Sequence, residues 1–425
     1  MKLLIRRGRV MDPSQKLNGL IDVLIENGRI VRLGKQLTSR DAEVVDAKGL
    51  IVAPGFVDMH VHLREPGNED SETIATGTRA AAAGGFTAVG CMPNTNPVND
   101  NVVTTRLILQ KAKSSPVEVF PVAAVTLQEA GEELSDLAAL RRAGVVAVSD
   151  DGKPVYNSLL MRRALEAGNK LGFPVIDHCE DPHLFRGGVM NEGPRSAKLG
   201  LRGIPSIGEE IMVWRNIALA SLTGGHVHLA HLSTAGSMQL LRDAKKHRLP
   251  VSGEVTPHHF TLTDASVTAE NTSTKMNPPL RGPADLRAVL KAIADGTIDV
   301  IASDHAPHHR DKKDVPFEVA AFGVIGLETS VSLGLDKLVN SRLISLARFI
   351  ELYSLNPAKI LGITRGIYKN APAHLTLFHP TRSVTVDVSK FHSKSHNSPF
   401  DGWKLRGCPM GTVCRGDLVW RHPAL

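Results

Sequence analysis

Within DMHVHLREPG, Asp58 to Gly67, two histidines stand one residue apart and Arg64 and Glu65 follow at once. Residues i and i+2 of an extended strand share a face, so His60 and His62 point together. Taken alone, an H-x-H is a weak sign of metal binding. The same chemistry recurs downstream: Asp150 and Asp151 in VSDDG, His178 in IDHCED, His231 in LAHLS, and Asp304 and His305 in SDHAPH. Imidazoles mixed with carboxylates suit Zn, Fe, Mn or Ni. Four histidines and two carboxylates exceed the needs of one catalytic zinc with an open position. A pair of ions is therefore expected, with an aspartate, Asp151 ahead of Asp150, as the bridge. Such pairs sit about 3.5–4 Å apart and activate a water nucleophile between them.

The elements that would position these groups are legible as short β-branched runs separated by helical stretches. The runs are FVDMHV (56–61), FTAVGCM (86–92), VEVFPVAAV (117–125), VVAVS (145–149), PVIDH (174–178), VHLAHL (227–232), PVSGEV (250–255) and DVIAS (299–303). Strands alternating with helices indicate a parallel sheet, and eight of them predict a (β/α)8 TIM-like barrel. Every candidate ligand falls at the carboxyl end of its strand, the face on which barrel sites are built. His226 and His228 form a second H-x-H at the opposite end of strand six, where a structural role is expected. His258 and His259 follow strand seven and would border the site at most. His183, His247, His379, His392, His396 and His422 read as solvated. EDSETIATGTRAAAAGG opens with acidic and capping residues and closes on Gly84 and Gly85, as a helix should.

Outside the barrel, both ends of the chain alternate with a two-residue period between glycine turns. Residues 1–53 and 366–425 are expected to pair into a small β-sandwich beside a barrel spanning 54–365.

Composition narrows the class. The 50 Lys and Arg are interleaved with 43 Asp and Glu, which argues against a nucleic-acid tail, while the net charge of +7 would favour a small anionic ligand. Cys91, Cys179, Cys408 and Cys414 show no metal or disulfide spacing. No run of about 18 apolar residues occurs, and MKLLIRRGRVMDPS is too short in apolar residues for a signal peptide. A soluble cytoplasmic enzyme with no membrane contact is expected.

Together, GFVDMHVHLREPG, GGFTAVGCMPNTNP, DHCED, HLAHLS, MNPPLR, SDHAPH and SPFDGWKLRG resemble the dihydroorotases of the amidohydrolase superfamily, of the longer, class I type, along essentially the whole chain. The resemblance implies reversible cyclisation of N-carbamoyl-L-aspartate to (S)-dihydroorotate in de novo pyrimidine (UMP) biosynthesis, at one or two zinc ions. It implies that His60 and His62 hold the more buried ion, His178 and His231 the other, that Asp151 bridges, and that Asp304 touches the metal and acts as base and acid. It also implies substrate contacts from His62, Arg64, Asn94, Asn277, His308 and the backbone at Phe322 and Gly323. A guanidinium just past the ligand strand suits the substrate carboxylate, which a planar fork of donors can hold. Considered alone, Arg64 would serve equally as a partner of Glu65 or Glu69, and Asn94 as a turn residue beside Pro93.

Related barrels that open hydantoins and dihydropyrimidines bridge their metals with a carboxylated lysine. Lys153 is close in sequence, but it follows Gly152 in a turn, so an aspartate is favoured. His374 stands where relatives usually carry aspartate, a question for packing in the small β layer. Residues 307–323, PHHRDKKDVPFEVAAFG, are polar and charged before an apolar end, and their composition supports a solvated connection. An allantoinase or hydantoinase is the nearest rival. A dead homologue retained as a scaffold is disfavoured because every ligand is present. Association with aspartate transcarbamoylase and a homodimer remain compatible with the sequence.

Overall fold

The computed structural model describes residues 2–425. Strand β1 (Phe56–Val61) is buried at every position, as a parallel strand covered on both faces must be. With it, β2 (Phe86–Cys91), β3 (Glu118–Ala123), β4 (Ala147–Val148), β5 (Val175–Asp177), β6 (Val227–Leu229), β7 (Val251–Val255) and β8 (Val300–Ile301) form one eight-stranded sheet in sequential order. The ends meet through His305, which bridges to Val61 and whose carbonyl accepts from His62 N at 2.9 Å. This is the expected barrel, and each of the eight runs supplies one strand.

Helices α1 (Ile74–Ala83), α2 (Val102–Lys111), α3 (Leu137–Ala143), α4 (Ser158–Leu171), α5 (Ile207–Thr223), α6 (Ala235–Lys246) and α7 (Pro283–Ala294) lie between successive strands. Their ends follow local chemistry. Thr73 and Thr76 cap α1 reciprocally, and Gly85, at φ +91°, turns the chain directly into β2. Phe56, Ile108, Met161, Val213, Leu241 and Val289 belong to the main apolar core. A second cluster of mostly smaller side chains contains Val57, Met59, Ala88, Val122, Ala147, Ile176, Ala230 and Val300.

Both chain ends build the β layer. Its six-stranded sheet runs, in spatial order, through Asp417–Arg421, Lys404–Cys414, Leu375–Thr385, Ile51–Pro54, Arg9–Asp12 and Leu17–Leu20. A four-stranded sheet of Arg29–Gly34, Asp22–Glu26, Lys2–Arg6 and Glu43–Asp46 packs on it. Leu3, Ile5, Val23 and Val45 of the smaller sheet share a core with Val10, Leu375 and Val413 of the larger. Part of the C-terminal segment leaves this layer for the barrel mouth. There Asn397 Nδ2 donates to the carbonyls of Ala306 and Gly323, both at 3.0 Å, and Ser395 Oγ donates to Ser71 O at 2.7 Å.

Candidate metal and substrate site

His60 lies in β1 and His62 one residue past it, with their ring centroids 5.4 Å apart. Asp151 projects between two histidine pairs. Its Oδ2 is 3.2 Å from His60 Nε2 and 3.4 Å from His62 Nε2, while its Oδ1 is 3.2 Å from His231 Nε2 and 3.4 Å from His178 Nδ1. Asp304 Oδ1 lies 3.2 Å from His62 Nε2 and 3.6 Å from His60 Nε2. Two groups, His60–His62–Asp151 and Asp151–His178–His231, each present ligand atoms within 4.8 Å of one another and could hold a metal ion.

Asp150 is directed elsewhere, accepting from Thr126 N at 3.0 Å and from Thr126 Oγ1. Lys153 Nζ donates to Glu129 O at 3.2 Å and is in neither group. His305 turns away from the cluster toward Glu72 and accepts from Gly326 N.

The electrostatics favour cations. Burial pulls the His60 imidazole down, but the carboxylates of Asp151, Glu254 and Asp304 outweigh it and hold it well above its ordinary value. Burial likewise opposes ionisation of Asp304, yet His60 and His62 hold its carboxyl well below the usual range. Among the described residues, the buried Nε2 of His60 and Nδ1 of His231 have no hydrogen-bond partner. Such orphaned nitrogens beside carboxylates fit metal coordination. His231 (φ +32°), Asp304 (φ +46°) and Arg64 (φ +61°) all adopt left-handed backbone conformations, a form of strain that concentrates at working sites.

Glu254, which the motif reading passed over, orients this cluster. Its Oε1 is 2.6 Å from His60 Nδ1 and its Oε2 is 3.0 Å from His228 Nε2; Ser252 Oγ then links His228 Nδ1 at 2.7 Å to His226 Nε2 at 2.8 Å. The second H-x-H therefore has the structural role expected of it, supporting the group that holds the His60 ring. A glutamate inside a strand buried at all five positions was the available signal. His258 and His259 are buried, and His259 bonds Thr256 Oγ1 and Pro278 O.

Beside the cluster opens a cavity of about 430 Å³, lined by His62, Arg64, Asn94, Asn277, His308, Phe322 and Gly323 among others. All the substrate residues expected from the sequence meet in this one space. Arg64 Nε donates to Pro307 O at 3.1 Å, its terminal nitrogen lies 3.5 Å from His308 Nε2, and Asn94 Oδ1 lies 2.8 Å from His62 Nδ1. Burial, and then Arg64, push His308 down to about 2, so its ring is neutral. Lys153, weighed above as an alternative bridge, and Glu180, inside DHCED, also line the cavity, together with Glu129 and Phe185, which no short motif marked.

Residues 49–237 match the family model described as Dihydro-orotase-like. A dihydroorotase of Citrifermentans bemidjiense is 51% identical over 99% of this chain and 100% of its own length. One of Syntrophus aciditrophicus is 49% identical with the same coverage. Among solved structures, a dihydropyrimidinase of Brevibacillus agri superposes with a TM-score of 0.86 at 25% identity, covering 99% of this chain and 95% of its own. An L-hydantoinase of Arthrobacter aurescens gives 0.86 at 23% identity, over 99% and 96%, and supports the fold alone. With half its residues shared along nearly its whole length with such relatives, this chain belongs to the dihydroorotase family of amidohydrolases.

Proposed function

We propose that the protein is a zinc-dependent dihydroorotase that interconverts N-carbamoyl-L-aspartate and (S)-dihydroorotate in pyrimidine biosynthesis in the cytoplasm. The observation that carries this reading is the meeting, in one cavity, of the Asp151-centred cluster with Arg64, Asn94 and His308. One wall suits metal and the adjoining wall suits a carboxylate, the two features a dihydroorotate ring presents.

His60 and His62 would hold one zinc and His178 and His231 a second, with Asp151 shared and Asp304 adjacent. Bound zinc would supply Lewis acidity toward the ring carbonyl and activation of water. Asp304 takes the proton of the attacking water and returns it to the departing amide nitrogen, so one carboxylate serves as base and then acid, and the reverse in ring closure. Arg64 clamps the substrate carboxylate with Asn94 and His308, a charge-assisted contact strengthened by exclusion of water. Asn277 and the backbone at Phe322 and Gly323 orient the ring.

The structural likeness to a dihydropyrimidinase favours a second reading, opening of cyclic amides that lack a carboxylate. Arg64 separates the two, since an uncharged ring leaves its guanidinium without an anionic partner.

The test is ring opening of L-dihydroorotate, followed by absorbance before and after chelation and zinc return, with dihydrouracil and hydantoin as competitors. Turnover of dihydroorotate restored by zinc and absent in Asp304→Ala is expected. Turnover of the uncharged rings alone would overturn the assignment. Mass measurement, with and without aspartate transcarbamoylase, addresses the homodimer and the enzyme pair compatible with this reading.

A further inference from the structure

Two buried lysines underlie the Phe322–Gly323 wall of the cavity. Lys275 and Lys313 are 2% and 5% exposed, a rare state for lysine unless its charge is paired. Among the described residues neither lies within the 4.0 Å that defines an ion pair with a carboxylate; the paired lysines are Lys2, Lys111, Lys245, Lys246, Lys337 and Lys390. Their protons go to backbone carbonyls instead. Lys313 Nζ donates to Ala321 O at 2.8 Å, Gly323 O at 3.0 Å and Lys275 O at 3.3 Å. Lys275 Nζ donates to Phe317 O at 2.7 Å and Glu318 O at 2.9 Å, and lies 4.5 Å from the centroid of the Phe322 ring.

These contacts converge on the substrate-facing stretch. Gly323 N donates to Lys275 O at 3.0 Å, His308 Nε2 lies 2.7 Å from Phe322 O, and Asn277 is two residues from Lys275. We propose that Lys275 and Lys313 are positioning residues for the dihydroorotate ring: their ammonium groups gather the carbonyls of Phe317, Glu318, Ala321 and Gly323 and so fix the Phe322–Gly323 backbone and the His308 ring against the substrate. This deepens the dihydroorotase reading and rests on it for the identity of the ring.

Of the five carbonyls the two lysines collect, Gly323 O also accepts from Asn397 Nδ2 and Lys275 O from Gly323 N, but the lysines are the charged donors among these contacts. Burial pulls the Lys313 amine down to about 7 and that of Lys275 to about 8, so desolvation works against the charge that the carbonyl contacts favour. Proteins retain such groups where geometry matters more than stability. A carbonyl grip also explains how a loop with an exposed outer half, including Arg310, Asp311, Lys312 and Asp314, presents an ordered inner edge.

The test uses the full-length zinc-loaded enzyme with Lys313→Met and Lys275→Met, plus Lys313→Ala with and without added propylammonium. Expected are a KM for dihydroorotate raised at least about tenfold with kcat within about threefold, unchanged zinc content, and faster amide exchange confined to residues around 320–324. Propylammonium, but not an equal ionic strength of potassium chloride, should lower the KM of Lys313→Ala. Unchanged exchange at 320–324 in both Met variants overturns the grip, whatever the substrate proves to be. Faster exchange with an unchanged KM overturns its role in positioning, as does a joint fall of kcat and zinc content. Failure of the wild-type enzyme on dihydroorotate counts against the reaction and leaves the exchange result to decide the grip.

Discussion

Asp151 faces four imidazoles within 3.4 Å, so its removal would leave both histidine pairs without their shared anion. Asp304, beside it, is the group that moves the proton in the proposed reaction. Asp304→Asn should keep zinc content and lower kcat by about 10²–10⁴-fold, the span typical of a lost general acid-base group; steady-state kinetics with metal analysis checks this. Arg64→Lys retains the charge and loses the planar fork, so KM for dihydroorotate should rise about 10–100-fold, equivalent to about 1.5–3 kcal/mol. Glu254→Gln should weaken zinc binding by about 10–100-fold, as loss of a group orienting a ligand histidine does, and competition with a chromophoric chelator measures it. The ligand candidates were visible in sequence because each closes a recognisable strand. Glu254 was hidden because its partners, His60 and His228, are 194 and 26 residues away, and local spacing carries no record of pairing across a barrel.

At the level of elements, the strands could be placed because β-branched runs buried on both faces have few alternatives. Their ends were less legible. His178 and His231 read as strand residues, yet β5 stops at Asp177 and β6 at Leu229, leaving both rings on the loops. The 307–323 connection shows a larger difference. Its composition indicates solvent up to an apolar end, and Arg310 and Asp311 are exposed, but Lys313 is buried along with Phe317, Ala320 and Gly323, because backbone carbonyls that sequence cannot display are the lysine's partners. Gly323 holds φ +130°, and a Cβ there would meet Ala306 Cβ at 2.7 Å and His308 Nε2 at 3.1 Å. Gly323→Ala should therefore cost about 1–3 kcal/mol in denaturant unfolding and raise KM by displacing His308.

For the molecule as a whole, the β layer and barrel were each foreseeable, but the chemistry of their junction was not. His374 is buried there, with Nε2 3.7 Å from a Glu118 oxygen and Nδ1 3.5 Å from Cys414 Sγ. Burial, reinforced by Arg365, lowers it from 6.5 to about 4. Between those values the unfolded chain binds the proton and the folded one does not. Folding stability is therefore retained above about pH 6.5 and lost as pH falls toward 4, by up to about 1.4 kcal/mol per pH unit. Urea unfolding of His374→Gln should show a correspondingly shallower slope across that window and the wild-type slope above pH 7.

Asn397, tied to Ala306 and Gly323 at the barrel mouth, sets a temporal order. During synthesis the eight strands are complete once residue 301 has emerged, yet the loop beside the cavity waits almost a hundred residues for its clasp, and Ile51–Pro54 waits even longer for Leu375–Thr385 to pair with it. A growing chain thus carries its candidate metal ligands before it can finish the pocket beside them. A chain ended before residue 397 would leave that mouth unclasped.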